Sequence, residues 1–341
     1  MPNYKQYNDW IGFAEESVYG TYTTPTLFVF VDTISPPTIN REIIDYKLIR
    51  GNASPHVDDV NKGFESTSFN ISFPVPIIAT GSSPLVLLKH AFGKVTKTGT
   101  SSPYTHLFEP DGEQPAIGLS FSIGIGGVKR YKISGCRIES MKLSANVNST
   151  MKCEMAIKGK KVAIDQTQNT PSYTLLSTRP KFWESCNVDS KIEFPAGASL
   201  NNGVSWEVNL KNTLLSSPSQ AGALGNDTFV QLPKYDITGT IKLDRRADET
   251  DGAGGSQSIL NQYAESLNPT PLRILYEYGS IGSEKYTFKI DANVVIPKPV
   301  SYSYDGGILK ETAECECRWD SSHEIMSITT ISGCDTPNTG S

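Results

Sequence analysis

Cys315 and Cys317 sit two residues apart, with Glu316 between them. On an extended strand that spacing puts both thiols on one face, where they could chelate a soft metal. A zinc site needs two further ligands, and Cys136, Cys153, Cys186 and Cys334 form no second close pair. Of the four histidines only His323 is near in sequence. The pair therefore reads as two core thiols. Gly124-Ile-Gly126-Gly127 resembles a phosphate-cradling loop, but the dinucleotide fingerprint wants its third glycine at 129, where Lys129 stands, and then a helix. An alternating strand follows instead, so the glycines read as a hairpin turn. Asp248, Glu249 and Asp251 lie among glycines but miss the calcium-loop spacing and read as a flexible tip. His56, His90, His106 and His323 belong to no catalytic or metal motif, and the chain has no nucleophile elbow, P-loop or His-Glu-x-x-His. These residues predict a non-enzyme with no cofactor and no metal.

Composition narrows the class further. The net charge of -5 gives no basic footprint for gripping a phosphate backbone. The 28 glycines and 21 prolines, spread among serine and threonine, punctuate a chain of strands and turns. The longest apolar runs, such as Leu27 to Val31, are far too short to span a bilayer. Met1 to Trp10 lacks the basic-then-apolar order of a signal peptide. The expectation is a soluble protein, free of membrane, made in a reducing cytoplasm with free thiols mostly in its core.

The elements that position these residues occur twice in the same order. From Ser68 to Lys158 the chain gives an alternating strand (Phe69, Ile71, Phe73), a short helix from Pro84 closed by Gly93, a strand from Ile117, the glycine turn, and a long hairpin from Lys129. From Tyr235 to Asp320 it gives a strand at Ile237 to Leu243, a short helix from Ser256 to Ala264, a strand from Leu272, a turn at Gly279 to Gly282, and a long hairpin from Glu284 to Trp319. In both hairpins the last strand alternates. Cys153, Met155 and Ile157 share a face opposite Lys152 and Glu154; Cys315, Cys317 and Trp319 share a face opposite Glu314, Glu316 and Arg318. Val204 to Leu210 alternates too, while Leu215 to Asp227 reads as a loop.

The fold expected is all-β with minor α: two tandem sandwich or barrel units, each with one short helix. Residues 1–35 form an N-terminal arm, 36–165 the first unit, 166–180 a polar linker, 181–325 the second unit and 326–341 a loose or docked tail. The arm, broken by Gly12, Gly20 and Pro25, reads as extended. Trp10, Phe13, Tyr19 and Tyr22 are costly to leave in water, so it docks on its own domain or a neighbour. Residues 34–63 carry Arg41, Asp45, Lys47 and Arg50 and fit a protruding hairpin.

Ile11-Gly-Phe-Ala-Glu-Glu-Ser-Val-Tyr-Gly-Thr21, followed by a proline, a threonine and a short strand, resembles the opening of tail tube proteins from long-tailed bacteriophages. Gly63 to Pro74 resembles that family's first core strand. Tyr131-Lys-Ile-Ser-Gly-Cys136 with Ile138 to Ser144 resembles its strand, Ser-Gly-Cys, strand stretch. The likeness covers most of the first half and, more loosely, the second. It implies a structural virion protein whose rings, with a continuous inner β-barrel, stack into a hollow conduit for the genome. Two units per chain imply trimeric rings with pseudo-six-fold symmetry. Implied partners are the chain itself, the tail tip or baseplate, tape measure and tail terminator proteins, and viral DNA that passes without specific binding; assembly would take place in the host cytoplasm. Trp10, Phe13, Glu15, Glu16, Tyr19, Tyr22, Arg41, Asp45, Lys47 and Arg50 become candidates for contacts between subunits or rings. Glu154, Glu314 and Glu316 become candidates for a mildly acidic lumen that repels DNA.

Two other classes compete. One is a virion decoration or baseplate sandwich. The other is a carbohydrate-binding or hydrolytic sandwich using Tyr302, Tyr304 and Trp319, aromatics that core packing explains better.

Overall fold

The computed structural model describes residues 9–45, 60–77, 83–111, 117–126, 129–147, 149–165, 181–184, 189–200, 203–218, 226–231, 238–246, 264–265, 267–319 and 324–335. In chain order the elements are β1 (Trp10–Glu15), β2 (Leu27–Val29), β3 (Thr33–Ile34), β4 (Thr38–Asp45), β5 (Val60–Pro74), α1 (Ser83–Phe92), β6 (Gly93–Thr98), β7 (Tyr104–Pro110), β8 (Leu119–Ile125), β9 (Lys129–Asn146) and β10 (Lys152–Gly159). They continue with β11 (Lys161–Asp165), β12 (Asp189–Glu193), β13 (Gly203–Lys211), β14 (Leu214–Pro218), β15 (Asn226–Gln231), β16 (Thr238–Arg246), β17 (Thr270–Ile281), β18 (Glu284–Val295), β19 (Ser301–Asp305), β20 (Ile308–Cys317) and β21 (Met326–Ser332).

One antiparallel sheet runs through the whole chain. Its order is β3 and β4, then β5, β10, β9, β13, β16, β20 and β19. The join of β9 to β13 makes a single surface of the two halves, in register from Ser205 opposite Asn146 to Lys211 opposite Ser140. Period-two alternation decides its two faces. Met141, Leu143, Cys153, Met155, Val208, Leu210, Ile241, Leu243, Ala313 and Cys315 are buried, and the polar residues between them face outward.

Two shorter sheets cover the apolar face, and the second takes β6 and β7 from the first half of the chain. The first is β2, β1, β8, the N-terminal part of β9, and β11. The second is β12, β17, β18, β21, β7 and β6. The pairings of the first half recur in the second: β1 with β8 as β12 with β17, β8 with β9 as β17 with β18, β9 with β11 as β18 with β21, and β5 with β10 as β16 with β20.

The helix forms where expected. Pro84 falls in its first turn, and Gly93 ends it at φ 97°. The helix expected from Ser256 falls almost wholly outside the described residues.

Several elements differ from the sequence reading. The arm is not merely extended: Trp10 to Glu15 is a strand held between β2 and β8, with Ile11 and Phe13 in the core. Gly12 is a fitting requirement rather than a breaker, since a Cβ there would stand 2.7 Å from the Phe28 ring. Residues 326–332 belong to β21, a central strand rather than tail. The stretch from Leu215 to Asp227, expected as a loop, contributes the β14–β15 hairpin. The second long hairpin is broken. Pro297 and Pro299 lack the N–H a ladder needs, so β18 stops and β19 begins after them. The β6–β7 hairpin carries no strong alternation in its β6 half, and pairing with β21 supplies what the local pattern lacks. The β8 serines, which alternate with Leu119, Phe121 and Ile123, are buried as well. Ser120 donates to Glu16 and Ser122 accepts from Arg130, so a polar layer covers that side.

Candidate functional site

The outward face of the long sheet is an ordered polar array. Cross-strand registers set out its rows. One runs Ser72, Glu154, Lys142, Asn209, Thr240, Glu316. The next runs Lys152, Ser144, Glu207, Lys242, Glu314. The three glutamates singled out above therefore share one face, as alternation requires. The face is not acidic, however, because Lys142, Lys152 and Lys242 alternate with them. Lys142 Nζ lies 2.8 Å from Glu207 Oε2, across the joint between the halves. The hydrogen bond that Lys142 donates to Glu207 raises the Lys142 pKa. Burial pushes the Glu207 carboxyl up, but hydrogen bonds from Asn209 and Lys142 outweigh it and hold it below the usual carboxylate range. Glu316 pairs with Arg318, and Glu314 lies 3.5 Å from Lys298. Such a face offers hydration and balanced charge, with little net field to hold or repel a polyanion.

The candidate contact residues of the N-terminal stretch are engaged within the chain. Phe13 is wholly buried, with its ring 5.7 Å from that of Phe121. The Trp10 ring lies 6.2 Å from Phe28, and the Arg130 guanidinium stands 5.8 Å above it. Glu15 accepts from Lys89 Nζ at 2.9 Å and contacts His90 Nε2 at 2.9 Å, fastening β1 to α1. Burial would raise the Glu15 pKa, but His90 and Lys89 outweigh it and hold it below its usual value; burial lowers the His90 pKa. Glu16 is 2 % exposed and accepts from Gly20 N, Ser120 Oγ and Gly135 N, at 2.6, 2.8 and 2.7 Å. Tyr19 donates to Gly135 O at 3.1 Å and lies under Arg137; Lys132 lies over the Tyr22 ring. Arg41 and Asp45 fall on β4, opposite Glu65 and Val60 of β5. Lys47 and Arg50 lie outside the described residues.

Other chemistry is thin. Cys136, Cys153, Cys315, Cys317 and Cys334 are buried and free; burial pushes the Cys315 thiol up to about 12 and Cys153 and Cys317 higher. Among the described residues no group of three or more His, Cys, Asp or Glu could hold a metal ion, and no helix is long and apolar enough to cross a membrane. Gly126 turns the chain between β8 and β9 at φ 58°, with its N–H donating to Asp9 Oδ1 at 2.7 Å. His106 is buried in β7; His56 and His323 lie outside the described residues.

Sequence reasoning placed Lys152 beside Glu154 but missed Lys142 and Lys242 on this face, the β9–β13 joint and the sheet's ends. The joint had a signal in the clean alternation of Val204 to Leu210. Tyr302, Tyr304 and Trp319, which the sequence suggested were core, are exposed by 48 %, 78 % and 62 %. The two tyrosines stand on β19, at one end of the long sheet.

No curated protein matches the chain. A family model described as phage tail tube protein matches residues 11–317, which spans the long sheet from before β3 to the last residue of β20. A predominantly β chain with a polar sheet face fits that match, and the chain belongs to the phage tail tube protein family, whose members are structural proteins of the virion tail.

Proposed function

We propose that this chain is a major tail tube subunit that closes into a trimeric ring, and that stacked rings form the conduit for genome delivery. The reading rests on one observation above all. The β9–β13 joint unites strands from both halves into one sheet within a single chain. Three chains would supply six such halves and close the sheet without free edges. With about 4.8 Å between strands and a tilt of about 40°, twenty-four strands give a barrel roughly 50 Å across between backbones.

On this reading the chain divides into units at 36–165 and 181–325 about a linker at 166–180, with β1 added to the first and β21 to the second. The polar face lines the lumen, and the outer sheets with α1 form the wall. The β4–β5 hairpin, carrying Arg41 and Asp45, reaches the next ring. The tail tip, tape measure and terminator proteins meet this tube, and DNA passes along a charge-balanced surface without specific binding.

Negative-stain microscopy of purified protein tests the reading. Rings or hollow tubes are expected, spontaneously or when seeded with tail-tip complex. Monomers that resist seeding would overturn it. Reversing Glu154, Glu314 and Glu316 to lysine would give the lumen a net positive field and slow genome delivery; unchanged infectivity would contradict the sliding role.

A further inference from the structure

We propose that β19 is the docking edge for a second copy of this chain, that it pairs with the strand edge at Thr33 and Ile34 of that copy, and that Tyr302 and Tyr304 key the joint. The proposal rests on the tube reading and names the residues that make the contact between subunits.

The long sheet ends at β19 on one side and β3 on the other. Each is paired on one side only among the described residues. The β19–β20 turn has two residues, Gly306 and Gly307, at φ 56° and 86°. Such a turn makes Asp305 and Ile308 a hydrogen-bonded pair, so Ser301 and Ser303 turn their backbone groups toward β20. Tyr302 and Tyr304 turn theirs toward the open side. At the other end Ser35 N donates to Asn70 O of β5, so Ile34 presents its backbone to the open side.

The chain carries a finished version of this joint. β10 can be laid on β20 so that Glu154 falls on Glu314 and the buried Cys153, Met155 and Ile157 fall on the buried Ala313, Cys315 and Cys317. Their partners then match as well. Ser72 faces Glu154 as Lys242 faces Glu314. Thr33 faces Ser72 as Glu207 faces Lys242. Ser301 faces Thr312 as Ser144 faces Lys152. Inside the chain Ser144 faces Glu207. Between copies, Ser301 then faces Thr33 and Val300 faces Ile34, while Tyr302 and Tyr304 run past β3 beside Asp32 and Phe30, the Asp32 N–H already donating to Ser72 O of β5.

The same correspondence accounts for the exposed tyrosines. Tyr302 falls where Ala145 falls, and Tyr304 where Val147 falls. At the internal joint those small side chains border a cleft of about 400 Å³, lined also by Ile192, Leu200, Trp206 and Tyr276. At the joint between copies two tyrosines stand where the internal joint has alanine and valine, and they supply the bulk that its cleft lacks. Tyrosine suits a joint, with a large apolar ring and a hydroxyl that can stay wet. Pro297 and Pro299 fix where the pairing stops, because neither offers an N–H to a further ladder.

The test is disulfide trapping in the full chain carrying Ser301→Cys and Thr33→Cys. The Val147 N to Val204 O bond sets the phase of the internal joint and makes Ser144–Glu207 a non-hydrogen-bonded pair. At the matching site Cβ atoms stand about 4.5–5.5 Å apart, close enough for a disulfide once the backbone relaxes slightly. Oxidised rings should yield a covalent series on a non-reducing gel that ends at three chains, with either single-cysteine variant giving none. The Tyr302→Ser, Tyr304→Ser double variant should raise the concentration needed for assembly by about tenfold or more, with its circular dichroism unchanged. Rings that form without the cross-link, or a double variant that assembles like the parent, would overturn the joint and leave the tube reading standing. An unsubstituted chain that forms no rings even when seeded would overturn the tube reading and the joint with it.

Discussion

Leu143, in the first half of the chain, stands directly opposite Val208, in the second, and both side chains are buried beneath the middle of the long sheet. Neither half therefore owns its core. Leu143→Ala should cost about 2–5 kcal/mol, since it removes a buried side chain and leaves a cavity between the halves. Thermal unfolding should show one transition moved down by several degrees. Two separate transitions would mean the halves fold independently and that the joint contributes little.

Arg245 and Glu311 form a second fixed point, buried to 1 % and 2 % exposure with 2.5 Å between Nε and Oε2. Arg245→Met alone should cost about 3–5 kcal/mol, because it strands a carboxylate in the core. Adding Glu311→Leu should recover most of the loss. A double variant no more stable than the single one would show that the pair holds something beyond itself.

Acid should loosen the N-terminal strand first. Burial holds the His90 pKa below its ordinary 6.5, so the unfolded chain binds the extra proton first. Stability is full above pH 6.5 and falls as the pH drops toward the folded value. Glu15, held below its ordinary 4.5, adds a second loss as the pH falls through that value and below. Melting midpoints from pH 7.5 to 4 should fall in this order, and His90→Gln should remove the upper part of the slope. A flat profile from pH 7 to 5 in the parent chain would contradict the arrangement.

Gly124 faces the Trp10 indole so closely that a Cβ would stand 2.1 Å from Nε1. Gly124→Val should force β1 away from β8 and cost about 1–3 kcal/mol or more. Hydrogen exchange at Ile11 to Ala14 should speed up before that of β9. Unchanged exchange there would show that Trp10 can swing clear at no cost.

Much of this was legible in the residues. Alternation at Cys153 to Ile157 and at Cys315 and Cys317 assigned the buried faces, although Trp319, placed with them, is exposed, and Pro84 and Gly93 marked the helix. What stayed hidden was which strand lies beside which. A period of two names a strand's faces but not its neighbours, so Lys142 and Lys242 could not be seen between the glutamates, and an acidic face was expected where charges balance. Trp10 to Glu15 misled for a related reason: it is buried on both faces, so it lacks the alternation of a half-exposed strand. Tyr302 and Tyr304 looked like core residues because strand tyrosines usually are. Their exposure follows from lying at the end of a sheet, a fact of topology that no local pattern carries.

The central claim is that one chain supplies two of six similar positions around a closed sheet. Rotational averaging of single rings in vitreous ice, with ring mass measured on the same sample, tests it most directly. The account predicts three chains per ring, three-fold symmetry and six similar lobes. Six chains per ring, or a ring whose lobes do not pair within one chain, would contradict it.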